Sequence, residues 1–332
     1  MMNRTVFFRG ALLGAALAGM SVVAWGQTLN VTSPQSNDFL GKTNTLRFTA
    51  ASVTRQVKIV AVTTKVSDAS VTFRAEGLFS PTAEDKIDGS LQYNFAESLG
   101  TGLFNVRVDM FYANDLATAI RTVNITNVSI DTKAPKLRNV VPTSGGFVSA
   151  LIPIRATIDE PNVNRWQVRV NSADFPNNSG SNNQVSLTYD ARTVENDGPQ
   201  TISLDVTDRG QNSVNKTINV TLDRVKPNAT ISSPTSIVYR PNATIPVLIN
   251  IADQFQGSVQ STGVNVYLRT MDGQFIQKVA RSSARANGTG LQWVGRIVRT
   301  NKIPKTFKLR VESVDRAGNV ASVQEVTVNY GA

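Results

Sequence analysis

The sequence predicts an all-β protein built from three tandem modules, and three observations lead to this prediction. Short segments in which apolar and polar residues alternate recur along the chain, separated by clusters of Gly, Pro, Asn and Asp. No stretch after residue 26 shows the 3.6-residue period of an amphipathic helix. A strand–turn–strand unit near the C-terminus is repeated twice upstream, at intervals of about one domain length.

The last copy of the repeated unit is the clearest. Phe307, Leu309 and Val311 alternate with charged residues, which predicts a half-buried strand. The segment Asp315-Arg-Ala-Gly-Asn319 then interrupts the alternation with residues that cap turns or accept a positive φ. A second strand follows and ends at Tyr330. We therefore predict a β-hairpin that closes the third module.

Two earlier copies define the modules. Residues 201–222 repeat the unit, with Asp208 and Asn212 in the places of Asp315 and Asn319. Residues 104–130 keep the strands, but the turn signature is lost at 114–118. A spacer of the form Asp-x-x-x-Pro follows the first and second copies, at 131–135 and 223–227. The spacers divide the chain into module 1 (27–134), module 2 (135–226) and module 3 (227–332).

In these turns and spacers the chain resembles the bacterial immunoglobulin-like (Big-type) repeats of surface proteins. The resemblance is good in modules 2 and 3 and loose in module 1. It implies three tandem immunoglobulin-like β-sandwich domains and a role in surface display, adhesion or assembly into an envelope complex. It does not imply a ligand, because this sandwich carries many unrelated functions.

Strands are predicted in each module from period-2 alternation. The candidates are 46–50, 57–66, 71–75, 91–95, 104–111 and 120–130 in module 1; 151–158, 165–170, 201–208 and 217–222 in module 2; and 245–251, 263–269, 275–279, 291–298, 306–314 and 322–330 in module 3. Trp166 shares one face of its strand with Val168 and Val170, so we predict a core residue. The alternative is an exposed tryptophan that stacks on sugars. Residues 175–184 are predicted to form a loop without assignable chemistry.

The N-terminal segment is typical of a secretory signal peptide. Arg4 and Arg9 precede an apolar stretch at 10–23, and Ala24-Trp25-Gly26 fits a cleavage site. A membrane-spanning helix is the alternative, but the apolar stretch is shorter than the roughly 20 residues that a span needs. We therefore expect an exported protein of the cell envelope, cell surface or periplasm, with no transmembrane segment in the mature chain.

Composition excludes several classes of chemistry. The chain contains no histidine and no cysteine, which removes Ser-His-Asp and Cys-His nucleophiles, most zinc, copper and haem ligation, and disulfides. Acidic pairs such as Glu84-Asp85 and Asp159-Glu160 lie in turn-like segments, and no Gly-rich phosphate loop occurs. We expect a protein that is not an enzyme. An enzyme would need a pocket with converging carboxylates.

Charge is concentrated in module 3, which contains 12 Lys and Arg against 5 Asp and Glu. Between Asp272 and Glu312 no acidic residue occurs. This pattern predicts a surface for an anionic partner, such as lipopolysaccharide, an acidic wall polymer or an acidic surface protein, and specific nucleic-acid binding is not expected. The alternative is a solvated basic face that keeps the protein soluble. The predicted binding residues are Lys278, Arg281, Arg285, Arg296, Arg299, Lys302, Lys305, Lys308 and Arg310.

A second hypothesis places calcium at the module junctions. In an immunoglobulin-type sandwich the loops after the second and sixth strands lie at the end where the chain enters. This would bring spacer acids close to turn acids at each junction, and oxygen-only clusters suit Ca²⁺. The alternative is that each Asp or Asn caps its own turn. The candidates are Asp131, Asp159, Glu160 and Asp208 at the first junction and Asp223, Asp253, Asp315 and Asn319 at the second.

These observations lead to one expectation and one alternative. We expect a non-catalytic structural or adhesive protein that presents a basic third module to an envelope polymer or an acidic partner. The alternative is a periplasmic carbohydrate- or peptidoglycan-binding protein. Retention on wall material at high salt would favour the alternative, whereas release by salt favours the charge-driven contact.

Overall fold

The computed structural model describes residues 26–235 and 238–331. The predicted signal peptide lies almost entirely outside the described residues. Within these ranges, strands account for nearly all the regular structure, together with two short 3₁₀ helices at Glu97–Leu99 and Ala191–Thr193. No helix among the described residues is long and apolar enough to cross a membrane. The all-β fold class predicted from alternation is confirmed.

Module 1 is a sandwich of a three-stranded sheet (β1-β3-β6) and a five-stranded sheet (β2-β8-β7-β4-β5). The short strand β2 pairs in parallel with β8, and the other pairs in the module are antiparallel. Its strands are β1 (Thr28–Ser33), β2 (Phe39–Leu40), β3 (Thr43–Ala51), β4 (Val57–Lys65), β5 (Thr72–Phe79), β6 (Lys86–Asn94), β7 (Gly102–Tyr112) and β8 (Arg121–Ile130).

Module 2 repeats this arrangement with sheets β9-β11-β14 and β10-β16-β15-β12-β13. Here too the short strand, β10, pairs in parallel with the last strand of the module. Its strands are β9 (Lys136–Val141), β10 (Phe147–Val148), β11 (Leu151–Asp159), β12 (Val163–Val170), β13 (Ser179–Gly180), β14 (Gln184–Asp190), β15 (Gly198–Asp208) and β16 (Ser213–Leu222).

Module 3 adds one strand to the smaller sheet, giving β17-β19-β23-β22 opposite β18-β25-β24-β20-β21. Its strands are β17 (Asn228–Ser233), β18 (Val238–Tyr239), β19 (Ile245–Ala252), β20 (Val259–Arg269), β21 (Phe275–Lys278), β22 (Arg281–Asn287), β23 (Gly290–Ile297), β24 (Thr306–Asp315) and β25 (Gln324–Tyr330). Each of the three modules also has a cis X-Pro bond after its first long strand, at Pro34, Pro142 and Pro234.

Each module encloses its own hydrophobic core between the inner faces of its two sheets. In module 2 Trp166, Val168 and Val170 are buried, which confirms the predicted inward face of β12. The Trp166 indole N–H donates to Asn182 Oδ1 at 3.0 Å. A Cβ on Gly180 would collide with the indole ring. Gly180 and Asn182 belong to the predicted 175–184 loop, so part of this loop covers the core tryptophan. The burial of Trp166 excludes the alternative of an exposed tryptophan that stacks on sugars.

Candidate functional site

The repeated turn of module 3 closes on itself and also contacts module 2. The backbone N–H of Asn319 donates to Asp315 Oδ1 at 2.8 Å. The side-chain amide of Asn319 donates to Asp315 Oδ2 at 2.7 Å and to the backbone carbonyl of Asp223 at 2.8 Å. Asp223 directly follows the last strand of module 2, so Asn319 joins the two modules by a hydrogen bond.

Module 2 makes the same contact with module 1. The backbone N–H and side-chain amide of Asn212 both donate to the Asp208 carboxylate at 2.9 Å. The amide also donates to the backbone carbonyl of Asp131 at 2.7 Å. The Asp…Asn turn and the Asp-x-x-x-Pro spacer found in the sequence therefore act together, since the turns of modules 2 and 3 each bind the spacer that precedes their module. We call each of these hydrogen bonds a latch.

Arginines of the same turns stack across both junctions. The Arg209 guanidinium lies 5.5 Å from the centre of the Phe39 ring, and Arg316 lies 5.2 Å from that of Phe147. Cation–π contacts of this kind contribute about 0.5–1 kcal/mol at exposed sites. At the first junction a Cβ on Gly41 would collide with the carbonyl oxygen of Gly210, so the two backbones touch directly. Both junctions are packed contacts rather than loose linkers.

Each junction also gathers three carboxylates. One oxygen each of Asp131, Glu160 and Asp208 lie within 4.8 Å of one another at the first junction. Asp223, Asp253 and Asp315 do the same at the second. In each trio one acid, Asp131 or Asp223, comes from the end of the preceding module. At the first junction Glu160 follows β11 and Asp208 ends β15 of module 2. At the second, Asp253 follows β19 and Asp315 ends β24 of module 3. The predicted convergence of spacer and turn acids is therefore present.

The trios lie in surroundings that disfavour charge. Burial, together with the charges of Asp253 and Asp315, raises the pKa of Asp223 to about 6, although a hydrogen bond from Gln254 opposes the shift. Burial also raises the pKa of Glu160 and the pKa of Asp208 above their ordinary values. Three carboxylates without a cation in such surroundings favour uptake of a proton or a metal ion.

Two of the junction candidates have other roles. Asp159 does not belong to the first trio, because it ends β11 with its side chain outward and pairs with Arg138 at 2.6 Å. The next residue, Glu160, turns inward and takes that place. Asn319 contacts the second trio as a hydrogen-bond donor through its amide nitrogen.

The nine basic residues predicted to form one anionic-partner surface do not share a face. Their strands belong to both sheets of module 3, whose outer faces point in opposite directions because their inner faces share one core. Arg281, Arg285 and Arg296 lie in the four-stranded sheet, and Lys278, Lys308 and Arg310 lie in the five-stranded sheet. The remaining three, Arg299, Lys302 and Lys305, lie in the loop between β23 and β24.

Acidic partners also reduce the basic surface on the five-stranded sheet. Arg310 pairs with Glu312 at 2.7 Å and with Glu325 at 3.3 Å, and Lys308 lies 3.5 Å from Glu325. Strand β25 pairs with β24 and brings Glu325 opposite Arg310. The stretch free of acids in the sequence is therefore not free of acids on the surface.

Two shallow grooves on the described part of the chain are lined without a carboxylate. The larger, about 610 Å³, runs along module 2. It is lined by Pro135, Lys136, Leu137, Val140, Pro142, Thr143, Ser144, Val214, Lys216 and Ile218. A second of about 330 Å³ lies on module 1 around Arg107 and also lacks Asp and Glu. Neither groove offers a carboxylate pair for hydrolysis.

The chain matches no protein-family model and no curated protein at a significant level. It is similar in fold to many solved structures. Fibronectin(III)-like modules of CbhA from Clostridium thermocellum share 12% identity over 59% of this chain and 93% of theirs, with a TM-score of 0.40. Titin domains A168–A170 share 12% identity over 92% and 99%, with a TM-score of 0.33. Part of a 1.5-MDa bacterial ice-binding adhesin shares 14% over 92% and 97%, with a TM-score of 0.27.

Proposed function

We propose that this chain is a non-catalytic, exported protein of the cell envelope or cell surface that acts as a stiff spacer of three immunoglobulin-like modules. The observation that carries the proposal is the pair of latches, Asn212 to the Asp131 carbonyl and Asn319 to the Asp223 carbonyl. The signal-like N-terminal segment supports export. The lack of His and Cys supports a function without catalysis.

The latches stiffen the chain because they join a turn of one module to the backbone that leaves the previous one. A single hydrogen bond contributes about 1 kcal/mol net. Here each latch acts together with a stacked arginine, and at the first junction with direct backbone contact. Bending at a junction would break these contacts together. The three-module protein therefore holds module 1 and module 3 at a fixed separation and orientation.

The experiment measures distances between modules in the full chain. Since the chain has no cysteine, spin labels can be placed at introduced cysteines replacing exposed Ser90, Ser186 or Thr230, one in each module. We expect narrow distance distributions by pulsed electron paramagnetic resonance. Asn212→Ala should broaden the distribution across the first junction, and Asn319→Ala that across the second.

A matched control is Asn30→Ala, because Asn30 is exposed on β1 and pairs with Thr49, near the end of β3 that is remote from Gly41 and the first junction. A defect confined to the turn would lower the melting temperature of one module without broadening any distribution. Broad distributions in the unmutated chain, or unchanged widths in both latch variants, would refute the stiff spacer.

For a partner, we propose that anionic contact is confined to the far end of module 3, the 298–305 loop beside Tyr330. Lys302 and Lys305 are exposed there and have no acidic partner among the described residues. Arg299 is held over the Tyr330 ring at 4.6 Å. The loop precedes β24 and adjoins the start of β19, whereas Asp315 ends β24 and Asp253 follows β19, so these two trio acids lie at the opposite end of the module. This charge polarity supports an end-on contact.

A further inference from the structure

One carboxylate oxygen at the second junction is buried without a hydrogen-bond partner. Asp223 is fully buried. Its Oδ1 accepts from Gln254 Nε2 at 3.0 Å and from the Val225 backbone N–H at 3.2 Å, whereas Oδ2 accepts no hydrogen bond. A buried polar atom without a partner is costly, and buried polar groups are nearly always satisfied. This oxygen therefore lacks the group that would satisfy it.

Protein cations near the trio are engaged elsewhere. Arg224 pairs with Asp197 and donates to the carbonyls of the 191–195 segment. Arg316 stacks on Phe147. Among the described residues, no Lys or Arg forms an ion pair with Asp223, Asp253 or Asp315. Within this part of the chain, the trio thus brings three acidic groups together without an ion-paired Lys or Arg.

We propose that Asp223, Asp253 and Asp315 bind a hard divalent cation, Ca²⁺ in preference to Mg²⁺, and that this ion joins modules 2 and 3. The trio offers only oxygen ligands, and one of them is the unsatisfied Oδ2 of Asp223. One oxygen of each residue lies within 4.8 Å of the others, so a single ion can contact all three. Ca²⁺ accepts flexible coordination by protein oxygens, whereas Mg²⁺ demands near-ideal octahedral geometry and usually keeps several waters.

The placement of the ligands gives the ion a mechanical effect. Asp223 ends module 2, while Asp253 and Asp315 belong to module 3. A cation bound to all three therefore resists separation of the modules and adds to the Asn319 latch. This consequence rests on the proposed spacer function, but binding of the cation does not.

The acids occur where the three modules meet, and two equivalent positions elsewhere are not acidic. Asp208 and Asp315 each pair with the first residue of a neighbouring strand, Val163 of β12 and Val259 of β20. In module 1 the residue that pairs with the first residue of β4 is Tyr112. After the last strand of module 3, Gly331 stands where Asp131 and Asp223 follow theirs. Both contacts between the described modules therefore carry a complete trio, which is the distribution expected for a junction ion.

The experiment uses the full chain after chelator treatment. Calorimetric titration with CaCl₂ and with MgCl₂ should show saturable binding of Ca²⁺ and weaker binding of Mg²⁺. Ca²⁺ at 100 times the Kd found by this titration should raise a melting transition by about 5 °C or more. Asp223→Asn should remove one bound ion per chain. Asn keeps the Oδ1 acceptor and the volume, so the variant should remain folded.

The matched control is Asp88→Asn, which removes the same charge from an exposed position on β6 and should leave binding unchanged. Absence of Ca²⁺ binding in the unmutated chain, or an unchanged number of bound ions in Asp223→Asn, would overturn the proposal. If the distance distributions are already narrow in chelator, the proposed stiff-spacer function holds without the ion. If Ca²⁺ binds but the distributions stay broad, the cation site holds and the stiff-spacer function is refuted.

Discussion

At the scale of a residue, Asp223 predicts how stability depends on pH. Its folded pKa of about 6 lies above the ordinary value of 3.8 because the side chain is buried and faces Asp253 and Asp315. The folded state therefore binds this proton more tightly than the unfolded state does. The resulting stabilisation is fully present below about pH 4 and is lost as the pH rises through about 6.

We therefore expect the unfolding free energy of the cation-free protein to fall between about pH 4 and 7, and Asp223→Asn to weaken that fall. Denaturant unfolding in chelator, compared between the two proteins, measures the difference. Glu160 and Asp208 contribute with the same sign at the first junction, which is why the comparison uses the variant. A difference that grows more favourable for the unmutated chain with rising pH would contradict the assignment.

At the scale of an element, the two repeated turns solve one backbone requirement differently. The residue before the Asn has a positive φ in both, 91° at Gly318 and 63° at Gln211. A left-handed conformation costs a non-Gly residue about 1–2 kcal/mol. Glycine avoids this cost, but its greater conformational freedom in the unfolded state costs it about 0.5–1 kcal/mol on folding. Gln211 therefore carries strain that Gly318 avoids.

We expect Gln211→Gly to stabilise module 2 by about 0.5 kcal/mol and Gly318→Gln to destabilise module 3 by a similar amount. Midpoints of urea unfolding measure both. Gln260→Gly on β20, whose φ is not in the positive region, should be destabilising and serves as the control. Equal shifts in the same direction for the two turn variants would show that the positive φ does not determine the outcome.

At the scale of the whole molecule, charge is polarised along the array. Carboxylate trios occupy the junctions. Lys302 and Lys305, which form no ion pair with any acid that the structure describes, occupy the far end of module 3. We expect Lys302→Gln with Lys305→Gln to weaken binding to lipopolysaccharide micelles and to lower its salt dependence by about two counterions. Lys136→Gln with Lys216→Gln removes the same charge from exposed positions of module 2 and is the matched control. An equal effect of both pairs would indicate a response to net charge alone.

Edge and first strands show where sequence patterns are weakest. Every strand predicted from alternation overlaps an observed strand. The sequence does not predict the first strands β1, β9 and β17, the edge strands β14 and β22, or the two-residue strands β2, β10, β13 and β18, of which β13 lies in the predicted 175–184 loop. Strand β22 reads Arg-Ser-Ser-Ala-Arg-Ala-Asn and leaves most of its side chains in solvent. It is a strand because β23 supplies its hydrogen-bond partners, and that information lies in another part of the chain.

The sequence by itself determined the all-β class, the three repeats and the inward face of β12, because alternation and turn residues act over a few neighbouring positions. The tertiary structure alone decided that each turn Asn binds a spacer carbonyl, that Glu160 rather than Asp159 joins a trio, and that the basic residues of module 3 separate onto two sheets. These outcomes depend on which side of a strand a residue occupies and on which strands meet, and sheet pairing sets both.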